Sequence, residues 1–407
     1  MDESSRNKQF SIQQKISEFL SDIEPQKSTC EVTIKSLQNL IYELVDEHEQ
    51  ELRIDFLDRS STKLFERFKG LLTRPQEIQI KLWLGSQYEL LGAYQKALKC
   101  YQDVIDLCSN EEFYREKAEA LRWSGHILAR KNQWKEASIF LNKSLDICIS
   151  HEDLEGESRA RNVLGLVNFE QSEFETARVH WQKALEYSES VENNYATATY
   201  CNNLGILYTV KGELQRALAY YNESLPRFEK IGHSRNLAHT FHNMAMTCVD
   251  LGRIADAGHY FEKSYNLAKE IGDIHLQANV KLNRSRLYLE INDLMLVNVL
   301  CHQALSIFRK LGDHLGESDV FRYMGILHTR QKQWKRAYLY LSDSLNMAKK
   351  YSSPLNEAET YFEFAHYYRE KNEKDQALKY YNQAKELFTL INLDYKADQV
   401  DKELSEY

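Results

Sequence analysis

Proline and glycine are scarce, at 4 and 15 of 407 residues. So few breakers exclude long irregular loops and flexible linkers. Long apolar runs are missing too. No window approaches eighteen apolar residues, so no membrane span is expected. The first fifteen residues, MDESSRNKQFSIQQK, hold no apolar stretch of the signal-peptide kind. The seven cysteines are odd in number and contain no CxxC. Several fall at helix-core phases, which reads as reduced, buried thiols and a cytoplasmic location. There is no basic surplus: 52 basic against 60 acidic residues give a net charge of -8, which argues against nucleic acid as a partner. No GxxxxGK[ST], GxGxxG or HExxH occurs. His239 and His242 lie three apart on one helix but have no third ligand in view. The expectation is no catalytic residue, no cofactor, no metal and no enzyme activity.

What the chain does have is an abundance of the helix formers Leu, Glu, Lys and Ala, and a fixed period. Stepping by 40 from Gly85 gives Gly125, Gly165, Gly205, Ala245, Ser285, Gly325 and Ala365, all small. The same step from Ala97 meets alanine at every position except Val297. Four residues on stands a bulky column: Tyr101, Leu141, Trp181, Tyr221, Phe261, Cys301, Leu341 and Tyr381. Register kept over eight copies signals a solenoid, in which each unit packs on its neighbours.

Residues 194–233 show how one unit works. Tyr200, Leu204, Ile206, Leu207 and Tyr208 recur at helical spacing. Gly212 breaks the run and can take the positive φ that closes a helix. Leu214, Ala217, Leu218, Tyr221 and Leu225 form a second run, ending near Ile231-Gly232. Each unit is therefore helix, tight turn, helix, connector. The small columns allow close approach and the bulky column fills the space between units. Pro226 lies inside the second helix and predicts a kink or an early end there. The unit around Ser285 diverges at Arg284, Val297 and Cys301, which predicts local loosening or altered curvature.

These columns resemble the tetratricopeptide repeat family, over about residues 77–393. The 40-residue period and the Ile271-Gly272-Asp273 and Leu311-Gly312-Asp313 connectors are similar to those of kinesin light chains and bacterial signalling proteins. The resemblance implies an all-α, right-handed solenoid of eight helix-turn-helix repeats. Residues 1–76 fall outside the period, with helical runs at about 8–22, 29–50 and 52–72. They read as an N-terminal cap or as a small separate helical module. Residues 394–407 read as a capping helix that shields the last repeat.

The resemblance also implies that first helices line a concave groove. Two residues before the small column stand Asn203, Asn243 and Asn283 in succession. An amide donates and accepts at once, so such a ladder suits a peptide backbone. Asn202, His242 and Met246 lie in adjacent columns. Arg122, His126, Arg130 and Arg159 form one basic end, and Arg286, Arg322 and Arg330 the other. The expected partner is a protein or peptide with an apolar centre and acidic flanks, and the expected function is a non-enzymatic adaptor or scaffold. The alternative is a peptide-responsive regulator similar to bacterial peptide-pheromone receptors, acting on a signalling partner through residues 1–76.

Overall fold

The computed structural model describes residues 50–68, 70–108 and 111–405. The helical run expected at 8–22, all but the last residue of the one expected at 29–50, and Cys30 lie outside these residues. The chain divides into two compact units, residues 1–167 and 168–407. Among the described residues there is no strand.

Unit 1 contains α1 (Gln50–Arg67), α2 (Arg74–Leu90), α3 (Tyr94–Leu107), α4 (Tyr114–Arg130) and α5 (Trp134–Ser150). The boundary falls inside α6 (Leu154–Glu170). Unit 2 continues with α7 (Phe174–Ser190), α8 (Asn194–Val210), α9 (Leu214–Ile231), α10 (Ser234–Asp250), α11 (Ile254–Glu270) and α12 (Ile274–Glu290). It ends with α13 (Leu294–Leu311), α14 (His314–Arg330), α15 (Trp334–Lys350), α16 (Pro354–Glu370), α17 (Lys374–Leu390) and α18 (Asp394–Ser405). The fold is an all-α solenoid of helix-turn-helix repeats. The pairs α2–α3 and α4–α5, and those from α8–α9 to α16–α17, make the most extensive helix contacts. Each first helix from α8 to α14 also touches the first helix of the next repeat, so first helices line the inner side of unit 2.

The columns explain the packing. Tyr101, Leu141, Tyr221, Phe261, Cys301, Leu341 and Tyr381 are all buried. A Cβ added at Gly85 would sit 2.5 Å from Tyr101 Cε1, and one at Gly125 would sit 2.5 Å from Leu141 Cγ. Helix pairs therefore meet ring against bare backbone, closer than a side chain permits. The divergent repeat compensates within itself. Ser285 replaces glycine but faces the small Cys301, with Sγ 3.6 Å from Oγ. Ser285, Val297 and Cys301 are fully buried, so the loosening expected there is absent. Pro226 corrects a second expectation: α9 does not end early but continues to Ile231, where Gly232 closes it at φ 67°. Pro226 and Asn222 both lie on the exposed side, where water can take the carbonyl of Asn222 that loses its donor.

The tight turns repeat a left-handed residue that the sequence reading found only at glycines. Gly92, Gly212 and Gly252 share their register with Asn132, Ser172, Asn292, Lys332 and Asn372, all at positive φ. Between repeats, Gly232, Gly272 and Gly312 share theirs with Glu152, Glu192, Ser352 and Asn392. The left-handed conformation costs an ordinary residue about 1–2 kcal/mol, and glycine avoids that strain. Glu192→Gly is accordingly expected to raise the urea midpoint, by an equivalent of about 0.5–1 kcal/mol. After the Gly272 and Gly312 turns, Asp273 and Asp313 cap the next helix. Their Oδ1 atoms accept from Leu276 N and Gly316 N, each at 2.9 Å.

α1 shares a core with the first repeat: Leu57, Leu64 and Phe68 pack with Ile78, Leu84 and Tyr101. Tyr88 Oη donates to Asp58 at 2.7 Å. No described helix is long and apolar enough to cross a membrane.

Candidate functional site

The inner side of unit 2 carries a half-open cavity of about 840 Å³. Its wall comes from the inner sides of α10, α12, α14 and α16, because residues at helical spacing from the small columns point inward there. Met246 (α10), Asn283 and Arg286 (α12), and Arg322 and Arg330 (α14) all line it. Apolar surface comes from Leu289, Ile326, Phe362 and Phe388. The remaining wall is α18, through Tyr395, Lys396 and Gln399. α18 thus does more than shield the last repeat. Its buried Ala397 and Val400 belong to a cluster against which Phe174 and Val210 also pack. A Cβ at Gly212 would meet Tyr395 Cβ at 3.2 Å, and Asn392 Nδ2 donates to the carbonyl of Ser172. α18 therefore joins the beginning of unit 2 to its end.

A charged network fixes α18 in place. Glu359 is ion-paired with Arg322 Nη2 at 2.8 Å and accepts from Lys396 Nζ. Arg322 pairs in addition with Asp319 at 2.8 Å. Arg369 pairs with Glu403 of α18, and Lys385 with Asp401 at 2.6 Å. Burial alone would raise the Glu359 pKa, but the guanidinium of Arg322 and the ammonium of Lys396 outweigh it and bring it down to about 2. Burial likewise opposes the charge of Arg322, and Glu359 and Asp319 raise its pKa regardless.

The structure brings five of the thirteen expected site residues to this cavity: Met246, Asn283, Arg286, Arg322 and Arg330. His242 stands behind Asn283, its Nε2 3.1 Å from Asn283 Nδ2. Burial, and then the neighbouring His239, lower its pKa to about 4, so it is neutral at pH 7. Its buried Nδ1 has no hydrogen-bond partner among the described residues. Asn202 Oδ1 accepts from Thr240 Oγ1 at 3.0 Å, which draws that amide into a contact between repeats rather than to the cavity wall. Asn203 and Asn243 are half-buried and outside the lining. Arg122, His126, Arg130 and Arg159 belong to unit 1.

The two basic ends read from sequence are not open cationic surfaces. Arg286 pairs with Asp250 at 2.7 Å, and Arg330 donates to the carbonyl of Leu289. In unit 1, His126 Nδ1 lies 2.9 Å from Glu89, Arg159 pairs with Glu155, and Arg130 lies 5.4 Å from the Tyr94 ring centroid. By contrast, Glu290, Glu363 and Glu370 line the cavity with no ion pair among the described residues. Sequence reasoning missed Glu359, Tyr395 and Lys396. His239 approaches Asp273 at 3.9 Å while His242 faces Asn283. Among the described residues, no three His, Cys, Asp or Glu side chains are grouped to hold a metal.

A solenoid of helical hairpins with a lined inner cavity is a binding architecture, and the comparisons agree on its class. Family descriptions of the tetratricopeptide repeat match residues 76–150, 157–230, 238–271 and 358–388. The chain belongs to the tetratricopeptide repeat family. No curated protein matches it. The apo quorum sensor NprR from B. thuringiensis is similar in structure at a TM-score of 0.61 and 16% identity, over 87% of this chain and 97% of that one. A Rap protein complexed with competence and sporulation factor is similar at 0.55 and 15%, over 84% and 98%. The Rap conjugation gene regulator of plasmid pLS20, in complex with the Phr* peptide, gives 0.54 and 12%, over 95% and 96%. At these identities the likeness is one of fold.

Proposed function

We propose that this protein is a non-enzymatic cytoplasmic adaptor that captures a short peptide, or a short segment of a partner, inside unit 2. The observation that carries the reading is the cavity of about 840 Å³, within the size range of small-ligand sites. It combines an apolar floor with polar groups already held in place. Asn283 is oriented by His242, and Arg286 and Arg322 by carboxylates, so little ordering is left for binding to require. Met246, Ile326 and Phe362 suit an apolar centre. The expected acidic flanks fit the lining less well, since its cations are engaged. Glu363 and Glu370 instead suit a cationic group on the ligand.

The narrower reading is a peptide-responsive regulator whose output runs through residues 1–76. Two of the similar structures, covering 84% and 95% of this chain, contain a bound factor or peptide by their descriptions, which favours it.

Affinity selection from an equimolar library of acetylated heptapeptides tests both readings. Wild type is expected to enrich a subset, and Met246→Trp, which pushes a bulky ring into the apolar part of the cavity, is expected to lose that subset while keeping its helix content. No enrichment, or the same enrichment by both proteins, sinks the cavity as the capture site. An enriched peptide that slows hydrogen exchange in α1 supports the regulator; exchange that slows in unit 2 alone supports the adaptor.

A further inference from the structure

Of the three asparagines in the ladder, Asn283 alone reaches the cavity lining. It is not free to turn there. Its Nδ2 lies 3.1 Å from Nε2 of His242, which stands on α10, the first helix of the preceding repeat. His242 itself is outside the lining. Its ring meets that of Phe261 at 62°, with centroids 5.9 Å apart.

An amide nitrogen only donates, so Nε2 is the acceptor of this bond. Burial, and then His239, lower the His242 pKa to about 4, so at pH 7 the ring is neutral and has a single N–H. With Nε2 accepting, that N–H is on Nδ1. There it is buried and has no acceptor among the described residues. Folded chains rarely leave a donor in that state, because it has given up water for nothing. What the orphaned donor secures is the direction of Asn283. One N–H of the amide is taken by His242, and this is its only side-chain hydrogen bond among the described residues. The amide therefore offers the cavity its Oδ1 and its second N–H, one acceptor and one donor.

We propose that His242 is a positioning residue for ligand capture: by accepting from Asn283 it makes that amide the match of a peptide-backbone amide, which returns one N–H and one carbonyl oxygen. A terminal carboxylate returns acceptors only and would set an oxygen against Oδ1. An ammonium returns donors only and leaves the second N–H of Asn283 unmet. The group seated at Asn283 is accordingly an internal backbone amide of the ligand and neither of its charged ends. The proposal rests on the reading of this cavity as the capture site and adds to it the polarity of one contact.

Two measurements on the full chain test it. The first needs no ligand. Carbon NMR spectra of protein containing isotope-labelled histidine separate the two neutral tautomers by the shifts of the ring carbons. The His242 signal is the one absent from both His242→Met and His242→Gln. The form with the proton on Nδ1 is expected at pH 7. A proton on Nε2 overturns the proposal, since Asn283 must then turn its oxygen to the ring. The second measurement takes an acetylated heptapeptide enriched by wild type and its amide-to-ester analogues, each lacking one backbone N–H at nearly constant shape. At least one analogue should bind wild type about tenfold more weakly than the parent. His242→Met, which has no acceptor for Asn283, should bind that analogue and the parent within about twofold of each other. His242→Gln, whose Oε1 can accept from Asn283, should restore the difference. A difference that His242→Met retains, or that His242→Gln does not restore, overturns the proposal. No enrichment at all sinks the capture reading and this proposal with it, whereas the wrong tautomer sinks this proposal alone.

Discussion

Gly205→Leu is expected to lower the stability of unit 2 by about 3 kcal/mol, read as a fall in the urea midpoint. The Cβ alone would enter the ring of Tyr221, which is buried beneath α8. Tyr221 has no free direction in which to move. Its Oη lies 3.2 Å from Thr209 Oγ1, which in turn lies 3.0 Å from Thr247 Oγ1 in the next repeat. Pushing the ring aside breaks a chain of hydrogen bonds across two repeats, adding about 1 kcal/mol to the packing strain. Gly205→Ala should cost less, because alanine recovers about 1 kcal/mol of helix propensity. A double-mutant cycle with Tyr221→Ala isolates the contact: the cost of leucine at 205 should largely vanish once the ring is gone. An undiminished cost in the double mutant would place the strain elsewhere.

The second large effect is expected at Glu359. Glu359→Gln leaves Arg322 and Lys396 facing each other without their shared anion. Removing one partner of a buried pair costs about 3–5 kcal/mol. The lower end applies here, since Lys396 keeps 24% of its side chain in water. The pH dependence follows from the same group. Its pKa is about 2 when folded, below about 4.3 in an unfolded chain. A carboxylate with a depressed folded pKa contributes stability that is complete above the unfolded value. That contribution is lost as pH falls from about 4.3 towards 2. Wild type should therefore show an acid-driven rise in hydrogen exchange of α18 in this window, and Glu359→Gln should already be fast at pH 7. Lys396→Met, which leaves Glu359 paired with Arg322, should cost much less. Equal effects of the two substitutions would remove Glu359 as the centre of the network.

The repeat architecture was legible in the sequence because close packing of helical hairpins leaves marks at fixed intervals: a bare backbone at 85, 125 and 205, and a ring or leucine at 101, 141 and 221. The site was legible only in part, and the reason is geometric. Columns 40 residues apart compare equivalent positions, and equivalent positions stand a full repeat apart in space. The side chains that touch between repeats have other spacings. Arg286 meets Asp250, 36 back; Lys396 meets Glu359 and His126 meets Glu89, 37 back; Thr247 meets Thr209, 38 back; Asn283 meets His242, 41 back. Reading each column by sign made Arg122, Arg286 and Arg322 look like free cations. Reading along the diagonals pairs Arg286 with its acid, and Arg122 pairs with Glu119 on its own helix. Left-handed turns at Glu192 and Lys332 carried no signal at all, because those residues adopt that conformation under tertiary constraint and not by preference.

A chain of repeats ordinarily behaves as a one-dimensional object. Each unit is stabilised by the next, the ends fray first, and unfolding can start at either terminus. The bond from Asn392 to Ser172 changes that, because it spans 220 residues. It gives unit 2 a clasp. With the clasp shut, the last repeat has a neighbour on both sides, so fraying from the C-terminus requires an unlocking step first. Closing so long a loop is entropically costly, so the clasp forms only after the repeats between have assembled. Its closure then couples their stabilities, and residues 172–405 are expected to unfold more nearly in concert than an open array of the same helices, which would peel apart one hairpin at a time.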